Sequence, residues 1–143
     1  MAHQDFSVIY KSKLGKLPGT SYKEVVRAAR REHNKIRKRS PHRQPYIKSR
    51  YFTRDKIFIN DFWAHLGSKV PGDRLRRLKL FLCAVDLIRN STLPPRAMQN
   101  PNDPNETLHQ FTGMTRNKEL FYVHVRENKK TGRKGFMSVF PGK

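Results

Sequence analysis

Two histidines and several cations occupy alternating positions in the last third of the sequence. His124 and Arg126 belong to residues 120–127, where every second side chain is apolar, and Lys134 opens a second alternating run that ends at residue 140. Histidine can move a proton near neutral pH, and arginine or lysine can hold a phosphate. Metal-independent RNA cleavage needs these groups, because the 2′-hydroxyl must lose a proton, the phosphorane gains negative charge and the 5′-oxygen leaves with a proton.

The alternation predicts an antiparallel hairpin with its turn at residues 128–133. Burial of one face would bring the remaining side chains together on the opposite face. That predicted face carries Tyr122, His124, Arg126, Lys134, Phe136, Ser138 and Phe140. Residues 108–114 are expected to add a third strand and to bring His109 nearby.

Each of these side chains receives a predicted role. The predicted catalytic residues are His124, His109, Arg126 and Lys134. Tyr122 or Phe136 would stack a base, while Lys118 and Ser138 would contact the nucleic acid. A structural interpretation stays open, since a histidine on a solvated strand face and an arginine opposite a lysine are common surface features. We predict neither a metal nor a cofactor.

The overall charge indicates a polyanionic partner. The chain has 31 Lys and Arg against 11 Asp and Glu, a formal net charge of +20 over 143 residues. Counterion release from a nucleic-acid backbone is the usual compensation for such charge. A membrane surface is disfavoured because the sequence has no continuous apolar run of about 18 residues and its N-terminal residues do not show a basic segment followed by an apolar core. We therefore expect a cytoplasmic protein, with Cys83 as a buried structural thiol.

The first 50 residues carry 14 basic and three acidic side chains and are interpreted as a basic arm with a helix. Ser21 and Glu24 fit a capping box that opens a helix running to about Ser40. Its predicted nucleic-acid contacts are Arg27, Arg30, Arg31, Arg37 and Lys38. Two interpretations stay open. The segment is either a solvated surface helix or disordered tail without a binding role, or a helix that lies along a phosphate backbone. Residues 41–50 would form an extended basic linker.

Residues 51–143 are interpreted as an α+β domain. One helix is expected to open at Thr53 or Asp55 and to end at Gly67, and another to run from Pro71 through Ile88. Residues 91–105 form a loop before the strands. The predicted fold is therefore α+β, with N-terminal helices packed on a C-terminal antiparallel sheet of three to four strands.

Other chemistries fit less well. Two-metal nucleases need clustered carboxylates, zinc sites need cysteine pairs or closely spaced histidines, and neither pattern occurs. A Walker-type phosphate loop and a G-x-S-x-G elbow are also missing, which argues against an NTPase or a serine hydrolase.

Several segments together resemble small toxin-type domains of mobile elements, similar to the barnase, EndoU, colicin and RelE-like (BECR) superfamily. The resemblance covers about residues 53 to 141 and rests on residues 56–58, 62–63, 76–80, 108–113, 120–125 and 136–141. It implies an endoribonuclease and a toxin that an acidic antitoxin or immunity protein neutralises. By position, it matches His124, Arg126 and His109 to the acid/base and phosphate-binding groups of such enzymes.

The barnase-type general base has no obvious counterpart on the predicted polar face. Glu127 ends its strand on the parity of the apolar face, and Glu119 precedes the strand. RelE-like members use lysine and arginine instead, a pattern that Lys118, Arg126 and Lys134 fit.

The predicted function is a metal-independent endoribonuclease that acts on RNA, with the ribosome as a possible setting. The alternative is a non-catalytic basic nucleic-acid-binding protein of a mobile element, in which the same face grips phosphates. A structural ribosome-associated protein would also fit the charge. Alanine at His124 or His109 discriminates an enzyme from a binder, because only an enzyme would lose cleavage while keeping affinity.

Overall fold

The computed structural model describes residues 8–42 and 44–142. Within them the chain forms seven strands and four helices. The strands are β1 (Ile9–Lys11), β2 (Tyr46–Ser49), β3 (Asp55–Phe58), β4 (Arg96–Gln99), β5 (Glu106–Met114), β6 (Leu120–Asn128) and β7 (Lys134–Pro141). The helices are α1 (Tyr22–Lys38), α2 (Asn60–Leu66), α3 (Pro71–Leu78) and α4 (Phe81–Asn90).

The seven strands form one mixed sheet that is strongly curled, like half of a barrel. The strand order is β1-β5-β6-β7-β3-β2, and β4 also pairs with β5. β1 runs parallel to residues 112–114 of β5 and β4 antiparallel to residues 107–110, so the two share one side of β5. At the other end, β3 runs parallel to β7 and antiparallel to β2.

The predicted sheet of three to four antiparallel strands is therefore wrong, although the chain is α+β. Ile57 and Phe58, predicted to be helical, lie in β3 between β2 and β7. Thr53 and Arg54 have left-handed backbone angles, with φ of 54° and 70°, which turn the chain back along β2 instead of opening a helix. β2 itself lies within the segment predicted to be a linker.

α1 begins at the predicted capping box, where Ser21 Oγ accepts a hydrogen bond from the Glu24 backbone N–H at 3.2 Å. Its narrow apolar stripe is buried through Val25, Ala29 and Ile36, which join the same hydrophobic cluster as residues of α4 and β6. α1 is thus packed onto the core. The division of the chain into an arm and a domain at residue 50 stays a prediction.

The single helix predicted after Pro71 is two helices, with the break at Lys79 and Leu80. At the break, the Lys79 carbonyl accepts a hydrogen bond from the Leu17 backbone N–H at 2.8 Å. At the end of α3, the Leu80 backbone N–H donates to the Arg77 carbonyl at 3.0 Å, a 3₁₀-type bond that tightens the last turn before α4 begins.

α4 is the most buried helix among the described residues. Its buried side chains are Phe81, Cys83, Ala84, Val85, Leu87 and Ile88. The predicted buried thiol is confirmed, because Cys83 is fully buried and desolvation raises its pKa to about 11.

In the described part of the chain, no helix has both the length and the apolar composition to cross a bilayer.

A β-bulge in β7 changes which side chains share a face. His124 pairs with Ser138, whereas Val125 pairs with Phe136, so Met137 is left without a partner in the ladder. An inserted residue of this kind reverses the inward and outward pattern on one side of the bulge.

The predicted polar face is therefore wrong for Phe136 and Lys134. Phe136 is fully buried and stacks on Phe62, with ring centroids 4.8 Å apart. Lys134 pairs with Glu127 on the opposite face from His124. The bulge thus moves one predicted catalytic cation across the sheet and a predicted base-stacking ring into the core.

Candidate functional site

Four charged or titratable side chains meet near the adjoining ends of β3, β5, β6 and β7, and we call this group the His109 cluster: His109, Glu127, Lys134 and Asp55. Glu127 lies at its centre, with Oε1 2.7 Å from His109 Nε2 and Oε2 3.5 Å from Lys134 Nζ. Lys134 Nζ also contacts Asp55 Oδ2 at 2.8 Å. The carboxylate side chains are 28% and 54% exposed, against 13% for His109 and 8% for Lys134. The carboxylates therefore form the outer rim of a mostly buried pair of nitrogen groups.

The strand register positions the cluster. Thr107 pairs with Glu127 and His109 pairs with Val125, which places His109 and Glu127 on the same face as diagonal neighbours. Lys134 lies directly opposite Glu127 on β7. Directly opposite and diagonal side chains on one face lie within reach of each other, so the backbone ladder alone brings the three groups together.

Phe52 covers one side of the cluster. Its ring meets the His109 ring edge-on at a centroid distance of 4.9 Å, and Lys134 Nζ lies 4.9 Å from its centroid. The turn after β2 fixes this ring, since Ser49 Oγ accepts a hydrogen bond from the Phe52 backbone N–H at 3.1 Å. An aromatic wall lowers the local dielectric and strengthens the interactions among the charged groups.

A basic cleft of about 730 Å³ adjoins the cluster. It is lined by Arg54, Asp55, Lys56, Phe58, Thr131, Gly132, Arg133 and Lys134. Arg133 lies over the Phe58 ring, 3.9 Å from its centroid, and donates a hydrogen bond to Gln44 Oε1 at 2.8 Å. Four of the eight lining residues are cationic and one is acidic, so the cleft carries a net positive charge beside Lys134 that can attract an anionic group.

A second polar group lies on the opposite face of the sheet. His124 Nε2 is 2.9 Å from Gln110 Oε1, and Arg77 Nη1 donates a hydrogen bond to Ser138 Oγ at 2.6 Å. Burial lowers the pKa of His124 to about 4, and repulsion from Arg77 and His65 adds to this. His124 is thus neutral at pH 7. Because an amide oxygen can only accept, Nε2 carries the proton in this arrangement.

Arg126 shares that face with His124. Its Nε lies 3.1 Å from Asp61 Oδ2 and 3.9 Å from Glu106 Oε2, and its side chain is 41% exposed. Two carboxylates therefore already compensate the guanidinium.

The structure divides the four predicted catalytic residues between two faces. His109 and Lys134 lie together in the His109 cluster, whereas His124 and Arg126 lie on the other side of the sheet. A single phosphate cannot contact both pairs.

The predicted nucleic-acid contacts are also dispersed. Tyr122 is half-buried beside the Phe140 ring at 5.6 Å, and Lys118 is exposed in the turn between β5 and β6 with φ of 65°. Ser138 is buried and occupied by Arg77, while Phe136 belongs to the core and offers no free ring to a base.

All five predicted contacts on α1 are exposed: Arg27, Arg30, Arg31, Arg37 and Lys38. Arg30 lies over the Trp63 ring, 3.8 Å from its centroid. Trp63 itself packs between Phe62 and Phe81, and its Nε1 donates to His33 Nδ1 at 2.9 Å. The Trp63 ring therefore packs against the core on one side and contacts the Arg30 guanidinium on the other.

Several residues of these sites were not predicted, among them Glu127, Asp55 and Arg77. The sequence places Glu127 on the apolar side of its strand, and no local pattern indicates that His109 shares that face across β5 and β6. Asp55 was interpreted as a helix opener. Arg77 could have been found from Asp73, four residues earlier, whose carboxylate bonds its Nε at 2.9 Å.

Across residues 8–42 and 44–142, no three metal-ligating side chains converge into a candidate metal site. Comparison of the chain with protein-family models, curated proteins and solved structures finds no match. The resemblance to BECR ribonucleases, together with the toxin role and acidic inhibitor that it implies, stays a prediction.

Proposed function

We propose that the protein is a metal-independent endoribonuclease whose reaction centre is the His109 cluster. The observation that carries this proposal is the Glu127 carboxylate, which contacts His109 Nε2 at 2.7 Å and Lys134 Nζ at 3.5 Å. An imidazole and an ammonium that both contact one carboxylate supply the proton acceptor and the positive charge that 2′-hydroxyl attack requires.

Each group has a distinct role in the reaction. Glu127 fixes the imidazole through Nε2 and stabilises the imidazolium, which leaves His109 Nδ1 to take the proton of the 2′-hydroxyl. The 2′-oxygen then bonds to phosphorus and the bond to the 5′-oxygen breaks. Lys134 faces the added charge of the phosphorane and gives a proton to the departing 5′-oxygen. The imidazolium of His109 then releases the 2′-hydroxyl proton to solvent, and Lys134 takes up one proton from solvent, which restores both groups. The products are a 2′,3′-cyclic phosphate and a 5′-hydroxyl.

The His109 cluster fits this chemistry better than the group around His124. With a pKa of about 4, His124 is a poor proton acceptor at neutral pH. The partner of the His124 imidazole is the neutral Gln110 amide, whereas His109 contacts the Glu127 carboxylate, which can stabilise an imidazolium by its charge. The His109 cluster also borders the basic cleft, through Asp55 and Lys134.

The test is cleavage of end-labelled single-stranded RNA by the purified protein in EDTA, with and without ribosomes. We expect fragments that end in 2′,3′-cyclic phosphate. His109→Ala and Glu127→Gln should each slow cleavage by about 10²- to 10⁴-fold, the usual contribution of a positioned acid or base. Affinity for a 2′-O-methyl RNA of the same sequence should change little.

The matched control variant is Lys130→Gln, which removes an exposed cation from the turn between β6 and β7 without touching the cluster. RNA that is bound but stays intact under all conditions would overturn the proposal. That outcome would leave the alternative, a non-catalytic nucleic-acid-binding protein.

A further inference from the structure

A second basic cavity, of about 620 Å³, lies between the end of α1, the strand β2 and the helix α4. It is lined by Ile36, Arg39, Ser40, Tyr46, Ile47, Lys48, Ser49, Arg50, Arg54 and Arg89. We name it the Arg39–Arg89 pocket. Five of its ten lining residues are cations, and none is acidic.

The cations of this pocket lack counter-ions within the described chain. Ion pairs in residues 8–42 and 44–142 involve other cations: Lys16, Lys35, Arg76, Arg77, His109, Arg126 and Lys134. None of Arg39, Arg50 and Arg89 has a carboxylate within ion-pair distance among those residues. The pKa of Arg89 is lowered by burial and by repulsion from Arg39, with Asp86 only partly opposing it.

All five cations are exposed, so water screens them in the free protein, and a bound anion would further relieve their mutual repulsion. Guanidinium groups present pairs of N–H donors that match the oxygens of a phosphate. Three guanidiniums, those of Arg39, Arg50 and Arg89, and the Lys48 ammonium therefore favour phosphate over a single carboxylate.

The pocket is also connected to the proposed reaction centre. Arg54 lines both the Arg39–Arg89 pocket and the basic cleft, and the cleft reaches Lys134. Its left-handed conformation, φ of 70°, is fixed by a hydrogen bond from its N–H to the Ser49 carbonyl at 2.7 Å. A non-glycine residue in the left-handed region costs free energy. The turn therefore holds Arg54 in a strained conformation at the junction of the two cavities.

We propose that the Arg39–Arg89 pocket binds backbone phosphates of an RNA strand whose continuation enters the basic cleft. The route of the strand rests on the proposed function, whereas phosphate binding in the pocket does not depend on cleavage. A polynucleotide is favoured over a free nucleotide because two basic cavities share Arg54 and together offer a path longer than one phosphate group needs.

Binding of a fluorescein-labelled 2′-O-methyl RNA tests this, because that strand has no 2′-hydroxyl and cannot be cut. The pocket variant is Arg39→Gln with Arg89→Gln. The control variant is Lys11→Gln with Arg96→Gln, which removes two exposed cations from β1 and β4 at the far side of the sheet. Both variants have the same net charge, so a difference between them reports position.

We expect the pocket variant to raise the Kd on the order of tenfold and the control variant to change it less than about threefold. The slope of log K against log salt should become shallower by about 1.4 in the pocket variant, since each lost contact to a single strand contributes about 0.7. Replacing both arginines by lysine should recover part of the affinity. Thermal melting followed by circular dichroism checks that all variants are folded.

Equal weakening of RNA binding in the pocket and control variants would overturn the proposal, because the loss would then come from net charge and not from the position of the cations. Pyrophosphate that binds wild type but not the pocket variant, with RNA affinity unchanged in that variant, would reassign the pocket to small polyphosphates and also overturn it. A protein that never cuts unmodified RNA but shows the expected pocket effect would remove the proposed ribonuclease function and leave the phosphate pocket standing.

Discussion

Replacing His124 by glutamine should make the fold less sensitive to acid. His124 has a pKa of about 4 because it is buried, with further repulsion from Arg77 and His65, whereas an unfolded histidine titrates near 6.5. Between these values the unfolded chain binds more protons than the folded one. The free energy of unfolding therefore falls as the pH is lowered from 6.5 to 4, and is unaffected by this group above about pH 7.

The magnitude follows from the shift. A lowering from 6.5 to about 4 spans about 2.5 pH units, each equivalent to 1.36 kcal/mol, so His124 should remove about 3 kcal/mol of stability by pH 4. Glutamine does not titrate, and its amide can still donate to Gln110 Oε1. The difference in unfolding free energy between wild type and His124→Gln should thus change by about 3 kcal/mol from pH 8 to pH 4, in favour of the variant.

Urea unfolding at fixed ionic strength measures this difference, with fluorescence of the single tryptophan, Trp63, as the signal. Urea is preferred to guanidinium because a net charge of +20 makes the protein sensitive to salt. His33 and His65 also have lowered pKa values, owing mainly to burial, but they are present in both proteins and largely cancel in the difference. A difference that stays constant from pH 8 to pH 4 would show that the pKa of His124 is not lowered in the folded protein.

Three further predictions concern the packing around the sheet. Phe136→Ala should lower the unfolding free energy by about 3 to 5 kcal/mol in urea titrations, because the ring is fully buried, whereas half-buried Phe140→Ala should cost clearly less; equal losses would contradict the assignment of Phe136 to the core. Gly135→Ala places a Cβ against the Asp61 carboxylate and should cost about 1 to 2 kcal/mol, a loss that disappears when it is measured in an Asp61→Ala background. Ser21→Ala removes the cap of α1 and should cost about 1 kcal/mol in the same titration, and an unchanged midpoint would argue against the cap.

The sequence predicts those elements whose determinants are local. The capping residues of α1 and the strict alternation in β6 gave their positions closely, since each pattern depends on neighbours in the chain. β3 was missed because Ile57 and Phe58 fit a helical spacing with Phe62 equally well. Its strand conformation depends on pairing with β2 and β7, which are distant in sequence.

The candidate site was predicted in part for the same reason. His109 and Lys134 were identified by residue type, but their placement required the register of three strands and the bulge at Met137. The alternating pattern of apolar and polar residues does not reveal a bulge. A prediction from that pattern therefore places Lys134 on the wrong face. The carboxylate that completes the cluster, Glu127, could be recognised only once His109 was known to lie beside it.

Cleavage rates of His109→Ala and His124→Ala, measured side by side in EDTA, decide whether catalysis belongs to the face of the sheet that carries His109. The two histidines lie on paired strands, but their side chains point to opposite faces. We expect a loss of about 10²- to 10⁴-fold in His109→Ala and a rate near wild type in His124→Ala once both are shown to be folded. The reverse pattern, with His124→Ala inactive and His109→Ala active, would contradict this expectation.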